Sequence, residues 1–253
     1  MKFAYQALFD FASISEAIDF GKGHGFDGVE IALGNPFFYQ EFMNGFKKSD
    51  FPVLVHSVEA FDLLTPIDEI RSVGIDWLTK VIDNARLADV KVVTIHLGQG
   101  IPFAVTSKKV YLQEKFPDLF HNKLDETLDF LASQSLVAVE NVGSFRFKFV
   151  KELIEKYIKK GLKLTWDLGH TFLLKDSARK EEDFFITNKD AIANIHIHDN
   201  LGFRDEHNIV GNGKIDFKRI FSRLKDWRGF LTMEVRPRDA ALESFIRLKG
   251  LLE

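Results

Sequence analysis

The feature that most constrains this chain is a repeated alternation of two periodicities. Eight short runs rich in β-branched and aromatic residues read as strands: "KFAYQAL" (2–8), "GVEIAL" (28–33), "PVLVHS" (52–57), "KVVTIHL" (91–97), "LVAVEN" (136–141), "LKLTWDL" (162–168), "ANIHIH" (193–198) and "GFLTMEV" (229–235). Between them lie helix-period stretches such as "SISEAIDFGKGHG", "GIDWLTKVIDNARLA", "LDETLDFLASQ", "FKFVKELIEKYIKK", "DFKRIFSRLK" and "AALESFIRLKGLL". Strands that alternate with helices pair in parallel, and eight such units match a closed barrel in both count and length. The expectation is an α/β fold, a (β/α)8 TIM barrel, as a single domain over residues 1–253. A doubly wound open sheet with two extra strands is the alternative. No Pro/Gly/Ser-rich linker divides the chain.

Composition narrows the function classes. With 45% hydrophobic and 28% charged residues the chain has ample material for a core, and its 26 phenylalanines read as part of it. The net charge of -3 gives no global attraction for nucleic acid, leaving only a local basic face for a phosphate backbone. The absence of cysteine excludes disulfides, thiolate catalysis and Cys-type zinc sites, so any metal must sit on His, Asp and Glu. The N-terminus lacks the charged-then-apolar pattern of a signal peptide, and no apolar run approaches the roughly 18 residues of a membrane span. A cytoplasmic protein is expected, with no membrane association and no protein partner indicated.

Two glycine patterns carry no nucleotide chemistry. "GHGFDG" (23–28) fits the dinucleotide spacing, but it ends a helix and enters a strand, the reverse of what that loop requires. It reads as a helix stop followed by a tight turn. "GNGK" (211–214) lacks the upstream glycine and the Ser/Thr of a P-loop, and reads as a loop entering a helix.

Six consecutive strand candidates end in a residue that binds metals: His56, His96, Glu140, Asp167, His196 and Glu234. In a closed parallel barrel those ends converge on one face, so residues distant in sequence would share a pocket. His170, three residues past Asp167, and the pair Asp205 and His207 follow in the loops after the strands. All nine are oxygen or imidazole donors, a mixture suited to Zn²⁺, Mn²⁺ or Fe²⁺, and nine exceed what one ion can use. Any one of them alone would read as a hydrogen-bonded polar group or a helix cap; together they imply two or three ions.

Other residues border this constellation. His198 lies two positions past His196 on the same strand face, which makes it a candidate to contact substrate or support the ligands. Asp199 points the other way and reads as a residue that orients the loop. Glu30 ends the second strand candidate and is either a further member of the ring, contacting substrate, or a salt bridge at the rim. Arg204, Lys214, Arg236 and Arg238 border the site and can hold a phosphate or form a solvated rim. His24 and His121 fall in helical stretches and read as structural.

The segments "VLVHS", "TIHLG", "AVEN", "DLGH", "HIHDN…RDEH", "GNGKIDF" and "LTMEV" resemble, in order and position, the xylose-isomerase-like TIM-barrel superfamily, which includes endonuclease IV and many sugar isomerases and epimerases. The resemblance covers the whole chain and implies a metal-dependent enzyme. Its shared core of four ligands falls on Glu140, Asp167, His196 and Glu234. The endonuclease IV pattern implies up to three zinc ions: one on His56, His96 and Glu140, a second on Glu140, Asp167, His196 and Glu234, and a third on His170, Asp205 and His207. The chain departs from endonuclease IV in its shorter loops and in the flanks "HLGQG", "ENVGSF" and "DLGHTF".

Two chemistries follow from that resemblance. One is phosphoester hydrolysis on a small phosphoester or on abasic DNA, with Glu140 and Glu234 as the central catalytic carboxylates. The other is isomerisation or epimerisation of a sugar or sugar phosphate through an enediolate on one Mn²⁺ or Mg²⁺, with Glu140 and Glu234 exchanging protons. A barrel that binds metal or sugar without turnover is the third reading.

Overall fold

The computed structural model describes residues 1–58 and 60–252. Eight parallel strands close into a barrel: β1 (Lys2–Ala7), β2 (Gly28–Ala32), β3 (Val53–His56), β4 (Val93–Ile95), β5 (Val137–Glu140), β6 (Lys163–Asp167), β7 (Ile192–Ile197) and β8 (Phe230–Met233). Each pairs with its sequence neighbours, and β1 closes the ring on β8 through Lys2 opposite Phe230 and Tyr5 opposite Met233. The eight expected strands are therefore present, and the expected (β/α)8 TIM barrel is the fold.

The principal helices are α1 (Ile14–Gly23), α2 (Pro36–Met43), α3 (Asp68–Leu87), α4 (Pro117–Ala132), α5 (Lys148–Ile158), α6 (Ala178–Thr187), α7 (Phe217–Arg223) and α8 (Arg238–Leu252). Their buried faces pack on the outer faces of the strands, where Phe26, Phe38, Phe42, Phe145 and Phe185 join the main apolar core. "GHGFDG" is the helix stop expected of it: α1 ends at Gly23, and Gly25 takes the left-handed conformation with φ +78°. Two features depart from the sequence pattern. Residues 36–43 and 178–187 are helical without a clear apolar stripe in the sequence. Between β4 and α4, Pro102–Val105 and Lys108–Tyr111 form an antiparallel hairpin outside the barrel. Its two-residue turn, Thr106 and Ser107, has positive φ at both positions, the geometry that Asn-Gly usually signals, so the sequence carries no cue to it.

Because side chains alternate across a strand, every second residue points into the barrel. The bottom of the lumen is apolar, filled by Ala4, Leu54, Val92, Ala138 and Phe230. One step up, the lumen is polar: Gln6, Glu30, Thr94, Thr165, Asn194 and Thr232 are all buried. Barrel interiors are usually filled by branched aliphatic residues, so this layer needs its own hydrogen bonds, and it has them. Thr94 bonds Thr165 at 2.9 Å, Thr232 donates to Asn194 at 2.8 Å, and Gln6, Thr94 and Asn194 all donate to Glu30. A further step up brings the six strand-end ligand candidates onto one floor.

Candidate functional site

The strand ends place His56, His96, Glu140, Asp167, His196 and Glu234 within one another's reach at the C-terminal mouth. Glu140 is the centre. Its Oε2 lies 3.1 Å from His56 Nε2 and 2.9 Å from His96 Nε2, while its Oε1 lies 3.2 Å from His196 Nδ1. His196 Nδ1 is also 2.9 Å from Glu234 Oε2 and 4.0 Å from Asp167 Oδ2. Their donor atoms fall into a group of His56, His96 and Glu140 and a group of Glu140, Asp167, His196 and Glu234, each within 4.8 Å.

The loop residues gather beside this floor. Asp167 caps the short helix Leu168–Leu173 by accepting from the His170 N–H at 2.6 Å, which fixes His170 one turn above it. The loop after β7 brings Asp205 Oδ2 to 3.2 Å from His170 Nε2 and 3.1 Å from His207 Nε2. That loop is pinned by Asp199, whose buried carboxylate accepts from the backbone N–H groups of Asn200, Gly211, Gly213 and Ile215. Asp199 therefore orients the loop, as its position on the strand suggests. His207 takes the left-handed conformation, φ 47°, which is unfavourable for a non-glycine residue and turns its ring back over the barrel mouth.

These residues fit divalent ions by two observations beyond their donor chemistry. First, the remote nitrogens are tied down. The Nδ1 atoms of His56, His170 and His207 reach the carbonyls of Ser57, Asn141 and Glu234 at 2.8–3.0 Å, leaving Nε2 to face the site. His196 is reversed, its Nε2 held 3.1 Å from Glu30 and its Nδ1 turned to the carboxylates. A second partner of this kind fixes a ligand's tautomer. Second, Glu140, Asp167 and Glu234 are three carboxylates buried in one barrel mouth, with Glu30 buried in the layer beneath them. Buried charge of this density calls for compensating cations.

The histidines supply part of that compensation. Burial disfavours an imidazolium at His56, yet the hydrogen bond and charge of Glu140 push it up to about 9. Burial likewise opposes the cation at His207 and His170, but Asp205 raises the first to about 9, and Asp167 with Asp205 raises the second to about 11. Burial would raise the carboxylates Glu140, Glu234 and Asp205; the facing histidines hold all three well below the usual range. All three are anionic donors at neutral pH.

The remaining candidates separate. Arg236 donates to Gln6 and, at 3.2 Å, to Glu234 Oε1, and with His56 and Glu234 it lines a cavity of about 270 Å³. A second cavity, about 280 Å³, opens on the other side of the cluster against His170, Asp205 and Arg146. Arg204 turns to solvent, where its side chain is 81% exposed and pairs with Glu206 at 3.3 Å. Glu30 is not at the rim and is fully buried: β2 continues past it to Ala32, so it sits in the polar layer beneath the metal-capable strand ends and bonds His196. Arg238 holds Asp10 and Glu16 at the start of α8, away from the cluster. Lys214 lines a separate cavity with Lys175 and Arg219. His24 bonds its own helix through the Phe20 carbonyl at 2.9 Å, the structural role expected of it. His198 is fully buried between Asp167 and Asp205.

Sequence reasoning passed over Gln6 and Asn141. Asn141 accepts from the Asp167 N–H at 2.6 Å and donates to the Asp167 carbonyl, Thr171 and Glu181, so it clamps β5 to β6 where both carry ligands. Its place directly after Glu140 was the available signal.

The comparisons with known proteins agree with this geometry. A family model described as xylose isomerase-like TIM barrel matches residues 18–250. The uncharacterized protein MJ1614 of Methanocaldococcus jannaschii is 33% identical over 173 residues, which cover 67% of this chain and 64% of that protein. The chain thus aligns with just under two thirds of that relative's length. Among solved structures, a D-tagatose 3-epimerase-like protein superimposes with a TM-score of 0.76 at 23% identity, covering 100% of this chain and 97% of its own. Endonuclease IV from Thermus thermophilus superimposes with a TM-score of 0.68 at 17% identity, covering 100% and 99%. With a closed parallel barrel, metal-capable side chains at six successive strand ends and a family match along nearly the whole sequence, this chain belongs to the xylose isomerase-like TIM-barrel family.

Proposed function

We propose that this protein is a metal-dependent phosphoester hydrolase with an endonuclease IV-like multinuclear zinc centre. The observation that carries the reading is the set of His170, Asp205 and His207, which share one carboxylate beside the four-ligand core. A one-ion isomerase would use these residues to bind sugar hydroxyls, whereas a multinuclear centre would use them as ligands.

His56, His96 and Glu140 would hold one ion, Glu140, Asp167, His196 and Glu234 a second, and His170, Asp205 and His207 a third, Glu140 being common to the first two donor sets. When bound, clustered divalent ions acidify water and neutralise phosphoryl oxygens in an in-line displacement. The chain's own contribution is orientation. Glu140 and Glu234, kept ionised by the histidines, stay as anionic donors across neutral pH. Arg236, fixed by Gln6 and Glu234 at the wall of the 270 Å³ cavity, presents a guanidinium to one phosphate oxygen. A cavity of that size admits a small phosphoester or a single flipped-out abasic sugar phosphate.

The test is to strip the protein with EDTA, reload it with zinc, count ions per chain, and assay abasic-site DNA, a phosphate diester and a phosphate monoester. Two or three zinc ions with hydrolysis of one substrate class is the expected result. A chain that binds one ion and hydrolyses none of them overturns the reading.

One observation favours sugar epimerisation as a second reading. The cavity against Glu234 and His56 has the dimensions of one monosaccharide, and one of the superimposing structures named above is that of an epimerase-like protein. In that case one Mn²⁺ or Mg²⁺ on the four-ligand core suffices, and deuterium from solvent enters a ketose or its phosphate on incubation.

A further inference from the structure

We infer that His198 is a fourth protein donor to the third ion, joining His170, Asp205 and His207, so that this position is closed by protein. The inference rests on the multinuclear reading above and deepens it.

Three observations carry it. His198 belongs to both remaining donor groups, one with Asp167 and His170 and one with Asp205 and His207, each with all donor atoms within 4.8 Å. Its Nε2 lies 3.2 Å from the Asp167 carboxylate and 3.4 Å from Asp205 Oδ1, while His207 Nε2 meets the other oxygen of Asp205. The seat is also built for an imidazole. Gly169, in the "DLGH" turn, leaves the space that the ring fills: a Cβ there would overlap His198 Cε1 and Nε2. Finally, His198 is fully buried, with its Nε2 set beside the carboxylates of both Asp167 and Asp205.

The ligand count then separates the ions by task. Four protein donors close a tetrahedral zinc site, whereas three leave a position for water or substrate. His170, His198, Asp205 and His207 make the third ion a closed one that ties the loop after β7 to the barrel. His56, His96 and Glu140 leave an open position, beside the cavity that His56 and Arg236 line. Substrate is accordingly expected at that cavity.

The experiment counts zinc per chain by elemental analysis, after EDTA stripping and dialysis against buffered zinc, for the wild type, His198→Asn and Gly169→Ala. The first variant removes the donor and the second displaces it. Three ions in the wild type and two in each variant support the inference. Three ions in His198→Asn overturn it while leaving the hydrolase reading intact, as does joint loss of all ions in both variants, which marks His198 as a structural residue. A wild type holding two ions overturns the inference alone, and one holding a single ion overturns the underlying reading with it.

Discussion

Glu30 and His196, fully buried and 3.1 Å apart, connect the polar layer of the barrel to the floor of metal-capable residues above it. Glu30 takes the His196 Nε2 and collects donors from Gln6, Thr94 and Asn194, so it sets the tautomer that leaves Nδ1 facing Glu140, Asp167 and Glu234. Outer partners of this kind typically change metal affinity by about 10–100-fold. Glu30→Gln keeps the volume and loses the charge; its zinc affinity, read by competition with a chelator, should fall within that range for the core ion. An unchanged affinity would show that His196 needs no such partner.

Asp199 is the residue on which the third site's loop depends. Its carboxylate accepts four backbone N–H groups across residues 200–215, and a backbone bridge from Asp199 to Asn208 adds two bonds of 2.8 Å. Asp199→Ala leaves those amides without a partner, costing roughly 2–3 kcal/mol. The fold should survive with a lower melting midpoint, and Asp205 and His207 should lose their fixed placement. Hydrogen exchange across residues 200–215 reads this directly: protection of those amides should drop in the variant, and equal protection in the two proteins refutes the role.

Binding of ions to the folded state alone should stabilise it by mass action. At free zinc about 1,000-fold above the dissociation constant the gain is about 4 kcal/mol, worth roughly 10 °C for a domain of this size. Calorimetry of the EDTA-stripped and zinc-loaded protein measures the shift. Coincident melting curves would mean that the clustered carboxylates and histidines are satisfied by one another without a cation.

Much of this arrangement was legible in the sequence because a parallel barrel converts strand order into proximity. His56, His96, Glu140, Asp167, His196 and Glu234 needed only to end successive strands to share one floor. The polar layer beneath them was not legible. Gln6, Thr94, Thr165, Asn194 and Thr232 look like ordinary alternation in half-polar strands, and period two does not say which parity faces the lumen. Glu30 was misplaced for the same reason: its partners lie on strands far from it in sequence, and only the register brings them together. The hairpin at residues 102–111 escaped notice because its turn uses Thr and Ser at positive φ, and α2 and α6 because their buried faces are short.

The buried pairing of Glu182 gives stability a defined pH dependence outside the site. Burial pushes this carboxyl up, but Arg219 binds it through both oxygens at 2.7 and 2.8 Å and Arg223 adds a further bond, and together they hold it below the ordinary value of 4.5. A carboxylate whose folded value is depressed contributes stability that is fully present above its unfolded value and is lost as pH falls through the folded one. Glu182→Gln carries no charge at any pH and cannot supply that contribution. The difference in melting midpoint between wild type and Glu182→Gln should therefore be constant above the ordinary value of 4.5 and shrink as pH falls below it and the wild-type carboxylate takes up its proton. The pair joins α6 to α7 across the outside of the barrel, so the effect should be the same with zinc or EDTA present. A gap that does not narrow in acid would show that the arginines do not depress Glu182, and that the variant's loss comes from packing alone.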